Sequence, residues 1–289
     1  MRFRFSMCVL VALTSRQPLL ADANVRVEVL KSGGIAIYRP GITTPIFAFN
    51  APLAGRPYVH PLLSPDGKGT LTEFSPGHHR HQTGIYVGFL KVNGRDYFHN
   101  RGSENFRLRA FDYKNDPQGV VWKSTYDLLD KNKSAQLTET QAWVFHDFTQ
   151  TYLIDLTWTA KAHTDVTFGK HDYGGLFIRM PFKNQKDAQA INSEGQINGK
   201  AEGQKAKWVD IGMSVPGRKG AAHIAVLSQK SVPWRVDGQL GVGPSPSRAG
   251  EWKIAKGRDT TLRYRFYVYT GEFQRDQVEA EWKAFSAIK

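Results

Sequence analysis

In "TLRYRFYVY" (Thr261 to Tyr269), Leu262, Tyr264, Phe266 and Val268 fall on one face of an extended chain, and Arg263, Arg265, Tyr267 and Tyr269 on the other. Alternation with period two over a whole segment is the pattern of a β-strand buried on one side. "TYLIDLTWTA" (Thr151 to Ala160) repeats it: Tyr152, Ile154, Leu156 and Trp158 oppose Leu153, Asp155, Thr157 and Thr159. "NFRLRAF", "GVVWKSTYDLL" and "QAWVF" are further runs rich in aromatic and β-branched residues. "HIAVL" (His223 to Leu227) is apolar almost throughout and suits a central strand covered on both faces. Asn93-Gly94, between "FLKV" and "RDYF", is a two-residue hairpin signal, because a type I′ turn needs positive φ at both positions.

One segment reads as helix. From Asp276, "DQVEAEWKAFSAIK" sets Val278, Trp282, Phe285 and Ile288 on one stripe, with Asp276 and Glu279 in a capping-box pattern. Residues 183–207 are polar, Gly-rich and free of aromatics, and read as a long excursion. "GRPYVHPLLSPDG" (Gly55 to Gly67) carries three prolines and reads as a sheet edge or rigid rim. No internal repeat or linker divides the chain. The expectation is an all-β fold: one large antiparallel β-sandwich over residues 24–289 with one C-terminal helix.

The first residues resemble an export signal. Arg2 and Arg4 precede a short apolar stretch, Phe5 to Leu13, and Ala21-Asp22-Ala23 fits a small-x-small cleavage site. Residues 1–23 are therefore expected to be a signal peptide and the protein periplasmic or secreted, with no membrane span. Cys8 is the only cysteine and lies in that segment, so the remainder has no disulfide, thiolate metal site or cysteine nucleophile. The 289 residues carry a formal net charge of +13. Lys and Arg are scattered singly, without a zinc-finger, basic-helix or RNA-binding pattern, so no nucleic-acid partner is expected. There is no P-loop, dinucleotide fingerprint or G-x-S-x-G elbow, which leaves nucleotide cofactors and serine hydrolysis unsupported.

Chemistry concentrates in four stretches. "PGHHRHQTGIYVGF" (Pro76 to Phe89) holds three of the nine histidines within four residues. On an extended backbone His79 and His81 share a face. They suit two ligands of a divalent metal, completed by His60, His99, His171 or a carboxylate. They equally suit hydrogen bonding and proton transfer on a polyol. No carboxylate follows His81 closely, which weakens the metal reading, and no cofactor is predicted. "GRPYVHPLLSPDG" offers Arg56, whose planar fork fits vicinal oxygens, with Tyr58 and His60 on one face. "KHDYGGLFIRMP" (Lys170 to Pro181) offers His171 and Asp172 as acid, base or ligand, with Arg179 between Ile178 and Met180. "INSEGQINGKAEGQKAKWVD" offers Glu194 as a general acid or base, and Trp234 is a candidate sugar-stacking platform.

Taken in order, "RPYVHPLLSPDG", "HRHQTGIYVGFLKVNGRDYFHNRG", "GGLFIRMP", "NSEGQ" with "WVD", and "LRYRFYVYTGE" resemble the bacterial family catalogued as "methane oxygenase PmoA", from about Val25 to the C-terminus. The name is a misnomer for a domain of unknown function. The resemblance implies a galactose-mutarotase-like β-supersandwich and favours Arg56, His60, His79, His81, Gly84, Asn93, Gly94, Gly174, Gly175, Arg179 and Glu194 as family positions. Gln82 stands where the family pattern H-x-H-H has its last histidine. The motifs, the export signal and the His/Arg/Glu set together lead to the expectation of acid–base chemistry on a carbohydrate or other polyol: epimerisation, elimination or glycosidic cleavage. In that reading His79 or His81 is the base, Glu194 or Asp172 the acid, and Arg56 and Arg179 orient the substrate. The rivals are a glycan-binding module without turnover and a metal-dependent enzyme using His79, His81 and His60 or His171.

Overall fold

A computed structural model describes residues 25–77, 79–99, 105–116, 119–181, 188–238 and 241–288. The expected signal peptide and His78 lie outside these residues.

Among the described residues, fifteen strands join one antiparallel sheet that folds over on itself into two layers. The first layer runs, in spatial order, β1 (Arg26–Val29), β2 (Gly34–Tyr38), β3 (Phe47–Asn50), β4 (Tyr58–Leu62), β5 (Ile85–Gly88), β11 (Gly175–Arg179) and β15 (Gly241–Pro244). The second runs β12 (Ala188–Asn192), β13 (Lys205–Ser214), β14 (Ala221–Val236), β17 (Asp259–Thr270), β9 (Tyr152–Ala162), β8 (Ala135–Asp147), β7 (Gly119–Leu129) and β6 (Phe106–Asp116). A separate pair joins β10 (Val166–Phe168) to β16 (Trp252–Ile254). Strand β14 carries the chain from one layer to the other: Ala222–Ser228 pair with β17, whereas Trp234–Val236 pair with β15.

The alternation in the sequence decides which side chains meet between the layers. Tyr264, Phe266 and Val268 of β17 and Tyr152, Ile154, Leu156 and Trp158 of β9 enter the shared core. Phe47 and Phe49 pack on Trp122, Trp143 and Phe145 across it, with ring centroids 5.1–5.8 Å apart. The opposite face of β17 is also covered. Tyr267 and Tyr269, with Ala225 and Leu227 of β14, lie under helix α2 (Arg275–Ser286) through Val278 and Phe285. Short helix α1 (Pro246–Ala249) is a second helix that the sequence reading did not anticipate.

Three local expectations change. The polar excursion is a hairpin: β12 pairs with β13 from Ala188↔Met213 to Asn192↔Val209. Its inward residues Ala188 and Ala190 are too small to mark a strand. Asn192 turns the chain by accepting the Glu194 and Gln196 amides at 3.0 and 2.9 Å. The proline-rich segment is not an edge. Strand β4 lies between β3 and β5, and Pro61 is tolerated because pairing toward β5 reduces to Val59↔Ile85. Helix α2 begins at Arg275 without a side-chain cap, since Glu279 accepts from Trp208 Nε1 at 2.8 Å instead of closing a capping box. Ile288 falls beyond the helix and is exposed. The Asn93-Gly94 turn is as read, with φ of 47° and 78° and a Val92↔Arg95 bridge.

Candidate functional site: a histidine-lined pocket on the outer face of the first layer

Alternation places Ile85 and Val87 of β5, and Leu176 and Ile178 of β11, in the core. The intervening Tyr86 and Phe177 therefore face outward. With Phe98, Leu90, Tyr58 and Tyr173 they form an aromatic cluster on the outer side of the layer. Two glycines make room for it. A Cβ at Gly241 would lie 2.5 Å from Phe177 Cζ, and one at Gly88 would lie 2.9 Å from Phe98 Cα. Over this floor close two loops. In one, Phe74 bridges Thr83, and the turn between them is closed by Ser75 N donating to Gln82 O at 2.7 Å and Gln82 N donating to His79 O at 2.9 Å. In the other, Asp96 Oδ1 accepts the amides of Phe98 and His99 at 2.9 and 3.0 Å, a turn built by one aspartate side chain.

The result is a pocket of about 150 Å³ lined by His79, His81, Gln82, Phe98, His99, Tyr173, Phe177, Arg235 and Asp237. His79 and His81 lie 5.7 Å apart between ring centroids, and His81 and His99 4.5 Å apart. His99 Nδ1 is 2.6 Å from Asp96 Oδ2, and its Nε2 is 3.5 Å from the Tyr173 hydroxyl. Burial works to raise the Asp96 carboxyl, but the His99 ring and backbone hydrogen bonds outweigh it and hold the group at about 2. Asp96 is therefore a carboxylate that only accepts, and the Nδ1 proton of His99 points to it. His81 is pushed down to about 4, first by burial and then by His99, Arg56 and His79, so its imidazole is neutral at ordinary pH.

Arg56 does not face this pocket as a substrate clamp. It is 1 % exposed and donates to the carbonyls of Phe98 and His81 (2.7 Å for the latter) and to Thr83 Oγ1 at 3.2 Å. Its guanidinium lies 3.4 Å from the Tyr86 ring centroid. It thus ties both pocket loops to the sheet. Burial lowers it to about 10, against the attraction of Tyr86, Glu139 and Asp96, and it remains a cation. Glu139 itself is buried in the sandwich core. It accepts from Trp158 Nε1 at 2.9 Å and Gln141 Nε2 at 3.2 Å, and burial drives it up to about 7 in spite of them.

The remaining sequence candidates scatter. His171 stands beside the pocket, its ring 4.5 Å from that of Tyr173. His60 turns to Thr72 Oγ1 at 2.9 Å and packs on Phe74, away from the pocket lining. Arg179 is buried and pairs with Glu73 at 2.8 Å, so it is not displayed to a ligand. The Asp172 carboxylate is 81 % exposed and leans toward Arg248. Glu194 sits on the β12–β13 turn, where it accepts from Ser193 Oγ at 2.7 Å, and does not line the pocket. Trp234 is no platform: it is fully buried between the layers, with Nε1 donating to Ala206 O at 2.9 Å. The sequence reading overlooked Asp96, Tyr173, Arg235 and Asp237, and named His99 only as a spare ligand. The D-x-x-H spacing of Asp96 and His99 was the available signal.

Among the described residues, no group of three or more His, Cys, Asp or Glu side chains is arranged to hold a metal ion. The grouping of His79, His81 and His60 is not formed, because His60 faces Thr72. Among the described residues, no helix is long and apolar enough to cross a membrane.

Comparison with solved structures finds galactose 1-epimerase from Lactobacillus acidophilus NCFM, 8 % identical, with 86 % of this chain and 99 % of that chain aligned at a TM-score of 0.47. A galactose mutarotase related enzyme from Lactobacillus acidophilus is 7 % identical over 86 % and 97 % of the two chains, at 0.40. An α-galactosidase from Geobacillus stearothermophilus is 9 % identical, with 86 % of this chain matching 41 % of that one, at 0.41. Likenesses this distant say nothing of activity. No curated protein matches. The matching family model carries a description of unknown function and does not bear the methane-oxygenase name suggested by the motifs. That match spans residues 42–283, and the chain belongs to the family of unknown function DUF6807.

Proposed function

We propose that this protein carries out proton transfer on a sugar ring or similar cyclic polyol, the step shared by epimerisation, elimination and glycosidic cleavage. The observation that carries the reading is the Asp96–His99 pair ending in the pocket. With its Nδ1 proton directed to the Asp96 carboxylate, His99 presents Nε2 to the pocket beside the Tyr173 hydroxyl. That arrangement makes His99 the base and Tyr173 the acid. His81, neutral above about pH 4, and His79 serve as hydrogen-bonding partners for hydroxyls, since a neutral imidazole both donates and accepts. Phe98 and Phe177 supply apolar walls for ring C–H groups. Asp96 positions His99 and does not touch substrate.

The test is a screen of the full chain against oligosaccharides and glycosides, monitored by NMR for anomeric exchange, double-bond formation and release of reducing ends. On the substrate so found, His99→Ala and Tyr173→Phe are expected to lower turnover by roughly 10²–10⁴-fold with the fold intact. Unchanged rates in His99→Ala would overturn the assignment.

A further inference from the structure

We infer that Gln82 is a ligand-contacting specificity residue, and that it selects an uncharged, hydroxyl-rich ring over a carboxylated one; this rests on the proton-transfer reading of the same pocket. Gln82 is 4 % exposed and lines the pocket. Its backbone is fully used: the amide donates to His79 O at 2.9 Å, and the carbonyl accepts from Ser75 N at 2.7 Å. Its side-chain Oε1 is enclosed and has no hydrogen-bond partner among the described residues. A buried acceptor left unmatched is rare in folded proteins, and a small turn of the carboxamide would offer it to a hydroxyl in the pocket. A carboxamide meets a hydroxyl in either sense, because it offers both an acceptor and donors. An ionised carboxylate has no proton to give to Oε1.

The charges around the pocket point the same way. Among the described residues the one guanidinium in its lining, Arg235, is engaged by Glu202 at 2.7 Å and lies 4.0 Å from Asp237. Arg56 is turned to backbone carbonyls behind the lining. Asp237 is itself in the lining, and Asp96 stands behind His99. A carboxylated sugar would bring a third negative group against two and find its cation already taken. A cavity of about 150 Å³ is also small against the roughly 300–1,000 Å³ of drug-sized ligand sites, and matches a single ring.

The experiment measures binding of D-galactose, D-glucose, D-mannose and myo-inositol, and of D-galacturonate and D-glucuronate, to the full chain by ligand-observed NMR titration. Wild type is compared with Gln82→Leu and Gln82→Met. We expect at least one neutral ring to bind wild type in preference to both uronates. We expect Gln82→Leu and Gln82→Met to weaken that binding tenfold or more without lowering the unfolding temperature, since each variant removes an unmatched polar group. A merely structural glutamine would lose stability together with binding. If the neutral ring binds wild type and both variants equally, or uronates bind best, the inference fails while the catalytic reading stands. If none of the six rings binds wild type, both fall.

Discussion

Glu139 gives the folded protein a pH dependence whose size follows from its surroundings. Its carboxyl rises from 4.5 in the unfolded chain to about 7 in the sandwich core. A carboxyl raised in this way keeps its proton longer in the folded state than in the unfolded one. Its contribution is fully present below pH 4.5 and is lost as pH climbs through 7. At about 1.4 kcal/mol per pKa unit, the loss across that window is ~3 kcal/mol. His81 works in the opposite sense. Its value is depressed to about 4, so its contribution is present above 6.5 and is lost as pH falls through 4. The two slopes oppose each other between pH 4.5 and 6.5, and only a difference measurement separates them. Glu139→Gln provides it. Both carboxyl oxygens accept from donors, Trp158 Nε1 and Gln141 Nε2, so the new NH₂ group must face one of them. The variant is expected to be less stable than wild type at pH 5 by about 1–3 kcal/mol. The gap should then close or invert by ~3 kcal/mol at pH 8.5. Urea unfolding followed by tryptophan fluorescence at both pH values measures it. A gap of constant size from pH 5 to 8.5 would show that Glu139 does not titrate in this window and would refute the reasoning.

Two further substitutions separate scaffold from site. Arg56→Met leaves the carbonyls of Phe98 and His81 without their donor; it should cost about 3 kcal/mol in chemical denaturation and loosen both pocket loops, seen as faster amide exchange at 79–83 and 96–99. Wild-type exchange there would remove Arg56 from its bracing role. Trp234→Ala empties a fully buried site and should cost roughly 3–5 kcal/mol. A loss of glycan affinity with unchanged stability would instead restore Trp234 as a binding surface.

The sheet was legible where side chains differ strongly between the two faces. β9 alternates large apolar with polar residues and its buried set matches that pattern, whereas β17 follows it for Tyr264, Phe266 and Val268 but also buries Tyr267 and Tyr269 under α2. The Asn93-Gly94 turn was legible because few residues adopt positive φ. β12 was not, since Ala188 and Ala190 bury too little surface to stand out. For the pocket, sequence proximity revealed His79 and His81. It could not reveal which distant groups join them, because Tyr173, Arg235 and Asp237 arrive through the β5–β11–β15–β14 neighbourhood, a non-local pairing. The same limit explains the errors. Arg56, Arg179 and Trp234 have chemistry that suits ligands, and only tertiary packing shows that protein atoms already satisfy it.

The most direct test of the acid–base pocket is a crystal structure of the Asp96→Asn variant, impaired in orienting His99, soaked with the neutral ring that binds best in solution. The ring should lie between His79, His81 and Tyr173, with one hydroxyl in hydrogen-bond contact with His99 Nε2. A ring seated on another face of the protein, with this pocket untouched at saturating concentration, would contradict the account.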